Sequence, residues 1–209
     1  MGDLGPRHVL ERRLTAQAAT PGKVSTLQRV PTIVIPYRGN AKQRLSSPIR
    51  AAAAVAMLGD VVAASLEVGR VLVVTNDRAV VPPGIEVIDD PGDGLGPAVQ
   101  AGLAEAEGHV LVINADLPCA TPAAFYELAS HGLALVEAAD GTTNALSLPD
   151  PSVFAPLYGG GSAQRFRAHA PFVTARIPEL EVDIDTDADL ERLPSSVGPR
   201  MRALLAVSA

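Results

Sequence analysis

The chain reads as short apolar runs separated by longer stretches in which apolar and polar residues mix. Continuous apolar runs stand at Thr32-Ile33-Val34-Ile35-Pro36, Arg70 to Thr75, Ile85 to Ile88 and Val110 to Ala115. Runs of this length without polar alternation are strands covered on both faces. Between them lie stretches of helical composition, an Ala-rich one from about Pro48 to Glu67 and a second from about Pro97 to Glu107. Strand and helix take turns, which predicts a mostly parallel sheet with helices on both sides, a three-layer α/β sandwich. Past Pro122 the expected order is a helix to about Ser130, apolar runs near Leu133 to Val136 and Asn144 to Leu148, and a helix from about Ser162. Short strands near Phe172 to Ile177 and Glu181 to Asp185 follow, and helical segments close the chain.

Residues 1–29 mix charges, Gly and Pro around one short helix-compatible piece, Val9 to Ala18. They are expected to be a mobile extension, an arm for packing or oligomerisation being the alternative, with residues 30–209 forming a single domain. Hydrophobic residues make up 47% of the chain and aromatics only 3%, so the core must be built from Ala, Val, Leu and Ile. The formal net charge of -6 argues against a protein that binds nucleic acid, whose phosphates demand clustered Lys and Arg. A small anionic substrate is still compatible, since a few local cations can hold one. The lone Cys119 excludes an internal disulfide, and no run approaches the roughly 20 apolar residues of a membrane span. No signal-peptide pattern is present, so a cytoplasmic location is expected.

Candidate chemistry begins at Asp116, which follows an apolar run and precedes Leu117-Pro118. That places a carboxylate at the carboxyl edge of a central parallel strand, where open α/β sheets bind ligands. A plain turn-capping Asp is the alternative. Asp183-Ile184-Asp185 would set two carboxylates on one face of a strand, and like charges so close call for a cation. Mg²⁺ suits them, being held by one or two carboxylates together with substrate phosphates and water. Asp187 and Asp189 read instead as acidic residues in the first turn of a helix whose N-cap is Asp185 or Thr186.

Lys42-Gln43-Arg44-Leu45 lies in the loop after the first strand, where cations can meet a triphosphate or stay as solvated loop charges. Gly92-Asp93-Gly94-Leu95-Gly96 precedes a helix and would let backbone approach a base or phosphate, or be an ordinary turn. Its spacing departs from the dinucleotide-binding fingerprint, which argues against hydride transfer. Gly141-Thr142-Thr143-Asn144 and Gly159-Gly160-Gly161-Ser162 are small-residue clusters that could form a compact anion site or two flexible loops; the second opens a helix carrying Arg165, Arg167 and His169. His8, His109, His131 and His169 read as surface or packing residues, and Cys119 as an apolar filler.

Taken in order, K-Q-R-L, D-G-L-G, N-A-D-L-P, G-T-T-N-A-L, Y-G-G-G-S and D-I-D-T-D-A-D-L resemble the CofC/FbiD guanylyltransferases of coenzyme F420 biosynthesis, over about Pro31 to Leu193. The resemblance implies a MobA-like nucleotidyltransferase fold. Its substrates would be GTP and a small phosphorylated carboxylic acid, phosphoenolpyruvate or 2-phospho-L-lactate, with phosphoenolpyruvate the choice for an Ala-rich chain of bacterial appearance. It further implies Asp116, Asp183 and Asp185 as ligands of Mg²⁺, and Thr143, Gly159 and Ser162 as contacts to the acid. Lys42 and Arg44 would face the GTP phosphates, with Asp116 also catalytic and Gly94, Leu95 and Gly96 beside the nucleotide. A homodimer and the downstream transferase of the pathway are the candidate protein partners. The family usually has Asn where this chain has Gly96, Thr142 beside Thr143 leaves two candidate hydroxyls, and Phe166 replaces a common His. The competing readings are a molybdopterin nucleotidyltransferase, a glycosyltransferase with its own D-x-D, and a non-catalytic nucleotide sensor. Pro36-Tyr37-Arg38-Gly39-Asn40 does not fit the Gly-rich loop that the molybdopterin enzymes usually carry.

Overall fold

The computed structural model describes residues 30–39 and 49–208, so the 1–29 extension lies outside the described residues. The apolar runs become β1 (Thr32–Pro36), β2 (Arg70–Val74), β3 (Glu86–Ile88) and β4 (Val110–Ile113). The stretches between them become α1 (Arg50–Leu66) and α2 (Leu95–Ala104). Next come α3 (Pro122–Ser130), β5 (Ala134–Glu137), β6 (Thr143–Leu148), α4 (Ser162–His169) and β7 (Val173–Thr174). The chain then forms α5 (Pro178–Glu181), α6 (Asp187–Glu191) and α7 (Pro199–Ser208).

Seven strands make one sheet in the order β3-β2-β1-β4-β6-β5-β7. Only β6 runs against its neighbours: it is antiparallel to both β4 and β5, while the other pairings are parallel. Alternation along each strand divides the core into two layers. Ile33, Ile35, Leu111 and Ile113 pack with α1 and α3, whereas Val34, Val74, Val112 and Leu146 pack with α2 and α4. These are the three layers predicted from the sequence. Gly102 brings α2 unusually near the sheet, because a Cβ there would lie 2.5 Å from Val34 Cγ1 and 2.9 Å from Val74 Cγ2. A smaller cluster of Ala53, Met57, Cys119, Ile184, Val197 and Met201 seats the C-terminal segment on the outer side of α1. There the buried Asp60 of α1 accepts hydrogen bonds from the Arg200 and Met201 backbone N–H groups at 3.0 Å each, serving as a long-range cap for α7.

The expected strand at Glu181 to Asp185 does not form. Pro178 opens a helical turn, α5, and residues 182–186 run on with no strand partner. The Phe172 to Ile177 strand shortens to β7, although Ala175 N–H still bonds Leu135 O at 2.8 Å. No helix among the described residues is long and apolar enough to cross a membrane.

Replacing Gly102 with Val is expected to lower stability by about 2 kcal/mol through overpacking against Val34 and Val74. A fall in the urea midpoint at constant slope checks this; an unchanged midpoint contradicts it. His109, just before β4, sits 2.8 Å from the hydroxyl of fully buried Ser147, and burial lowers its pKa from the usual 6.5. The unfolded chain therefore binds this proton more readily, so the contribution is complete above about pH 6.5 and is lost as pH falls through the folded value. Stability measured from pH 7 to 5 should drop less steeply in His109→Gln than in wild type.

Candidate active site

The carboxyl edge of the sheet gathers several of the predicted motifs. The chain leaves β1 for β2 on one side and later arrives at β4 on the other, so the crevice between the carboxyl ends of β1 and β4 is a topological switch point. After β4 ends at Ile113, Asn114 continues the ladder: its N–H bonds Asn144 O at 3.0 Å and its side-chain amide bonds Thr143 O at 3.1 Å. Asp116 follows two residues later, partly exposed at the rim. Because β6 is antiparallel, its first residues, Thr143 and Asn144, lie at the same rim as the last residues of β4. Asn144 Nδ2 donates to Leu180 O at 3.0 Å. The Oδ1 atoms of Asn114 and Asn144 are buried without a hydrogen-bond partner among the described residues. Two such orphaned acceptors at one edge are unusual in a finished core, where buried polar atoms are paired.

The two small-residue clusters meet. Ser162 Oγ bonds Thr143 Oγ1 at 3.0 Å, both residues buried, and Ala163 N–H bonds Gly141 O at 3.3 Å. The neighbouring Thr142 is committed elsewhere: its N–H and hydroxyl donate to Asp140 Oδ1 at 2.9 and 2.6 Å. Thr143 is therefore the hydroxyl joined to α4. Gly161 supplies the N-cap of α4 with φ +68°, a left-handed conformation that favours glycine. The exposed Gly159 is held with its loop by Arg165, whose guanidinium donates to Leu157 O, Tyr158 O and Gly160 O at 2.6 to 3.1 Å. Arg167 pairs instead with Glu137 at 2.7 Å. Tyr158 and Phe166 pack edge to face, and burial pushes the Tyr158 phenol pKa far up.

Across the switch point stands the Gly92–Gly96 loop, ending at Gly94 as the N-cap of α2. Gly96 is small for a packing reason, since a Cβ there would fall 2.6 Å from Pro156 Cβ. The loop is anchored by residues outside the sequence motifs. Arg38, two residues past β1, donates from Nε to Asp90 Oδ2 at 2.6 Å and from Nη2 to Asp90 Oδ1 at 2.9 Å and Gly94 O at 3.2 Å. Asp90 Oδ1 also accepts from Gly92 N–H at 2.8 Å, and Asn76 pairs with the Asp90 backbone through both its amide nitrogen and oxygen. The Arg38 hydrogen bond holds the Asp90 carboxyl below the ordinary range, outweighing the upward push of burial. A strand-end Arg and an Asp before Pro-Gly were the signals available in the sequence.

Ile184 is fully buried in the same cluster as Cys119, which binds the 183–185 segment to the loop that begins at Asp116. Asp183 and Asp185 flank it, both partly exposed. Thr186 caps α6 and forms a capping box with Asp189, as expected for a first-turn acid; the Asp189 carboxylate also accepts from Asp185 N–H at 3.1 Å. Burial raises the Asp189 pKa, and its hydrogen bonds from Thr186 and Asp185 more than offset this and lower it. Among the described residues no three His, Cys, Asp or Glu side chains form a ready-made metal cluster. The three aspartates are thus not gathered as a prebuilt cage, and the donor chemistry fits Mg²⁺ only in its usual manner, with one or two carboxylates and the remaining positions filled by phosphate oxygen and water. Lys42 and Arg44 lie outside the described residues. Cys119 is buried, its thiol pKa pushed up by burial, as expected of a filler.

The MobA-like NTP transferase domain matches residues 47–168. A phosphoenolpyruvate guanylyltransferase of Geodermatophilus obscurus is 38% identical over 173 residues, covering 74% of this chain and 79% of that protein. One of the same name from Thermomonospora curvata is 34% identical, covering 84% and 88%. A 2-phospho-L-lactate guanylyltransferase of Natrialba magadii is 33% identical, covering 76% and 80%. Among solved structures, a nucleotidyl transferase from Methanothermobacter superposes with a TM-score of 0.60 at 18% identity, over 85% of this chain and 99% of that one. At that identity the likeness speaks for the fold alone, whereas the sequence relatives go further. With the rim geometry above, they establish that the chain belongs to the MobA-like NTP transferases and, among these, to the phosphoenolpyruvate/2-phospho-L-lactate guanylyltransferase family.

Proposed function

We propose that this chain transfers the guanylyl group of GTP to phosphoenolpyruvate, releasing pyrophosphate and forming enolpyruvyl-diphospho-5'-guanosine for coenzyme F420 biosynthesis in the cytoplasm. The observation that carries this reading is the convergence on one sheet edge of Asp116, the Thr143–Ser162 pair and the loop that opens α2. Two anionic substrates need adjoining subsites, and the Gly94 turn and the Thr143–Ser162 pair are the candidates for them.

In the reaction, a phosphate oxygen of the acid attacks the α-phosphorus of GTP in line. The bond from that phosphorus to the oxygen bridging the α- and β-phosphates breaks, and the electron pair leaves with pyrophosphate. The attacking oxygen is already ionised near neutral pH, so no side chain has to remove a proton. The Ser–His contact at hand, Ser147 with His109, lies towards the amino edge and plays no part. What the chain must supply is position. Thr143 and Ser162 would fix the acid, the Gly94–Leu95–Gly96 turn would approach the nucleotide through backbone, and Lys42 and Arg44 are assigned to its phosphates by the family resemblance alone. Asp116 together with Asp183 or Asp185 would hold Mg²⁺, which when bound neutralises charge on the phosphates. Phosphoenolpyruvate is preferred to 2-phospho-L-lactate because relatives of higher identity carry its name.

Incubation with GTP, Mg²⁺ and phosphoenolpyruvate is expected to yield pyrophosphate and the mass of the enolpyruvyl product, with 2-phospho-L-lactate turned over more slowly. GTP binding without pyrophosphate release from either acid would contradict the reading and favour a sensor. Asp116→Asn should lower kcat by roughly a hundredfold or more with an unchanged melting curve. Ser162→Ala should raise KM for the acid while leaving KM for GTP in place.

A further inference from the structure

Asp90 is an acid set close to a loop assigned to an anionic ligand. It is 8% exposed and spends both carboxylate oxygens on the protein, one on Arg38 Nε and the other on Arg38 Nη2 and Gly92 N–H. Its backbone is gripped as firmly, since Asn76 donates to Asp90 O at 2.8 Å and accepts from Asp90 N–H at 3.1 Å. Arg38 then reaches past Asp90 to Gly94 O, the N-cap of α2. The last residues before α2 are therefore tied to the ends of β1 and β2 by a chain of six hydrogen bonds through Asn76, Asp90 and Arg38. Gly92 and Gly94 have φ +97° and +117°, conformations with many alternatives for a glycine left untethered.

We propose that Asp90 is a positioning residue for the nucleotide: by holding Arg38 and the Gly92–Gly94 turn, it keeps the entrance to α2 in the shape that receives GTP. This rests on the guanylyl-transfer reading above. The sign of the effect separates positioning from direct electrostatics. Removing a carboxylate near a triphosphate, and freeing an Arg beside it, should by charge alone tighten GTP. Loss of the tether instead frees the loop, and GTP binding must then bear the cost of ordering it. A fork is also needed at position 38, because a lysine ammonium cannot span both Asp90 oxygens and Gly94 O.

The test is steady-state kinetics on full-length Asp90→Ala and Arg38→Lys, with GTP affinity by calorimetry and a thermal melt for each. The inference predicts that KM and Kd for GTP rise roughly tenfold or more in Asp90→Ala, while KM for the acid stays within about twofold. Arg38→Lys should move the same way by a smaller factor. Unchanged or tighter GTP binding in a folded Asp90→Ala overturns the inference, as does an equal rise in both KM values. If Asp90→Ala does not fold, Arg38→Lys decides by the same criterion. If wild type binds GTP yet transfers nothing, the transfer reading fails while calorimetry still judges the tether.

Discussion

The antiparallel course of β6 is the constraint on which the site depends. Were β6 parallel to β4, like the rest of the sheet, Thr143 would emerge at the amino edge and Asp116 at the carboxyl edge, a strand length apart. Its reversal puts the start of one strand beside the end of the other, and the Asn114–Asn144 backbone bond fastens them. Because α4 is then tied to Thr143 through Ser162, the N-terminus of α4 is fixed beside the start of β6, where the proposed reading puts the acid. In the guanylyl-transfer reading proposed above, the parallel half of the sheet would serve the nucleotide and the reversed strand the second substrate.

Around that edge the packing is made stiff where the chemistry needs it. With so few aromatics, rigidity cannot come from large side chains in general, and it comes instead from close approach: Gly102 lets α2 settle onto Val34 and Val74, and Gly96 lets the loop at Pro156 cross the start of that helix. Four of the seven aromatic rings, Phe154, Tyr158, Phe166 and Phe172, meet beside and within α4 in tilted and edge-to-face contacts. Arg165 completes the support from the same helix. The candidate loops are thereby carried on closely packed elements.

The layers were readable in the sequence because their signal is local: uninterrupted Val and Ile runs report two-sided burial, and Asp116 reports its place simply by following one. The Thr186–Asp189 cap was readable for the same reason, as a pattern four residues long. The 181–185 segment misled because polar–apolar alternation describes an extended chain equally well with or without a neighbouring strand, and Ile184 alternates against α1 and α7 rather than within the sheet. The Arg38–Asp90 pair joins residues 52 apart, so a strand-end Arg and an Asp before Pro-Gly are each visible in the sequence while nothing local pairs them. Family likeness implied that Thr143 and Ser162 serve one ligand, but not the hydrogen bond between them, since spacing alone says nothing of which loop meets which.

The claim that both substrates meet at the carboxyl rim is tested most directly by backbone amide NMR of the uniformly labelled protein, adding GTP with Mg²⁺ and then phosphoenolpyruvate. GTP should shift resonances of residues 92–96 and 114–117, and the acid those of 141–144 and 159–163. Shifts confined to the opposite edge, around Gly69 and His109, or to the groove between α1 and α7, would contradict the account.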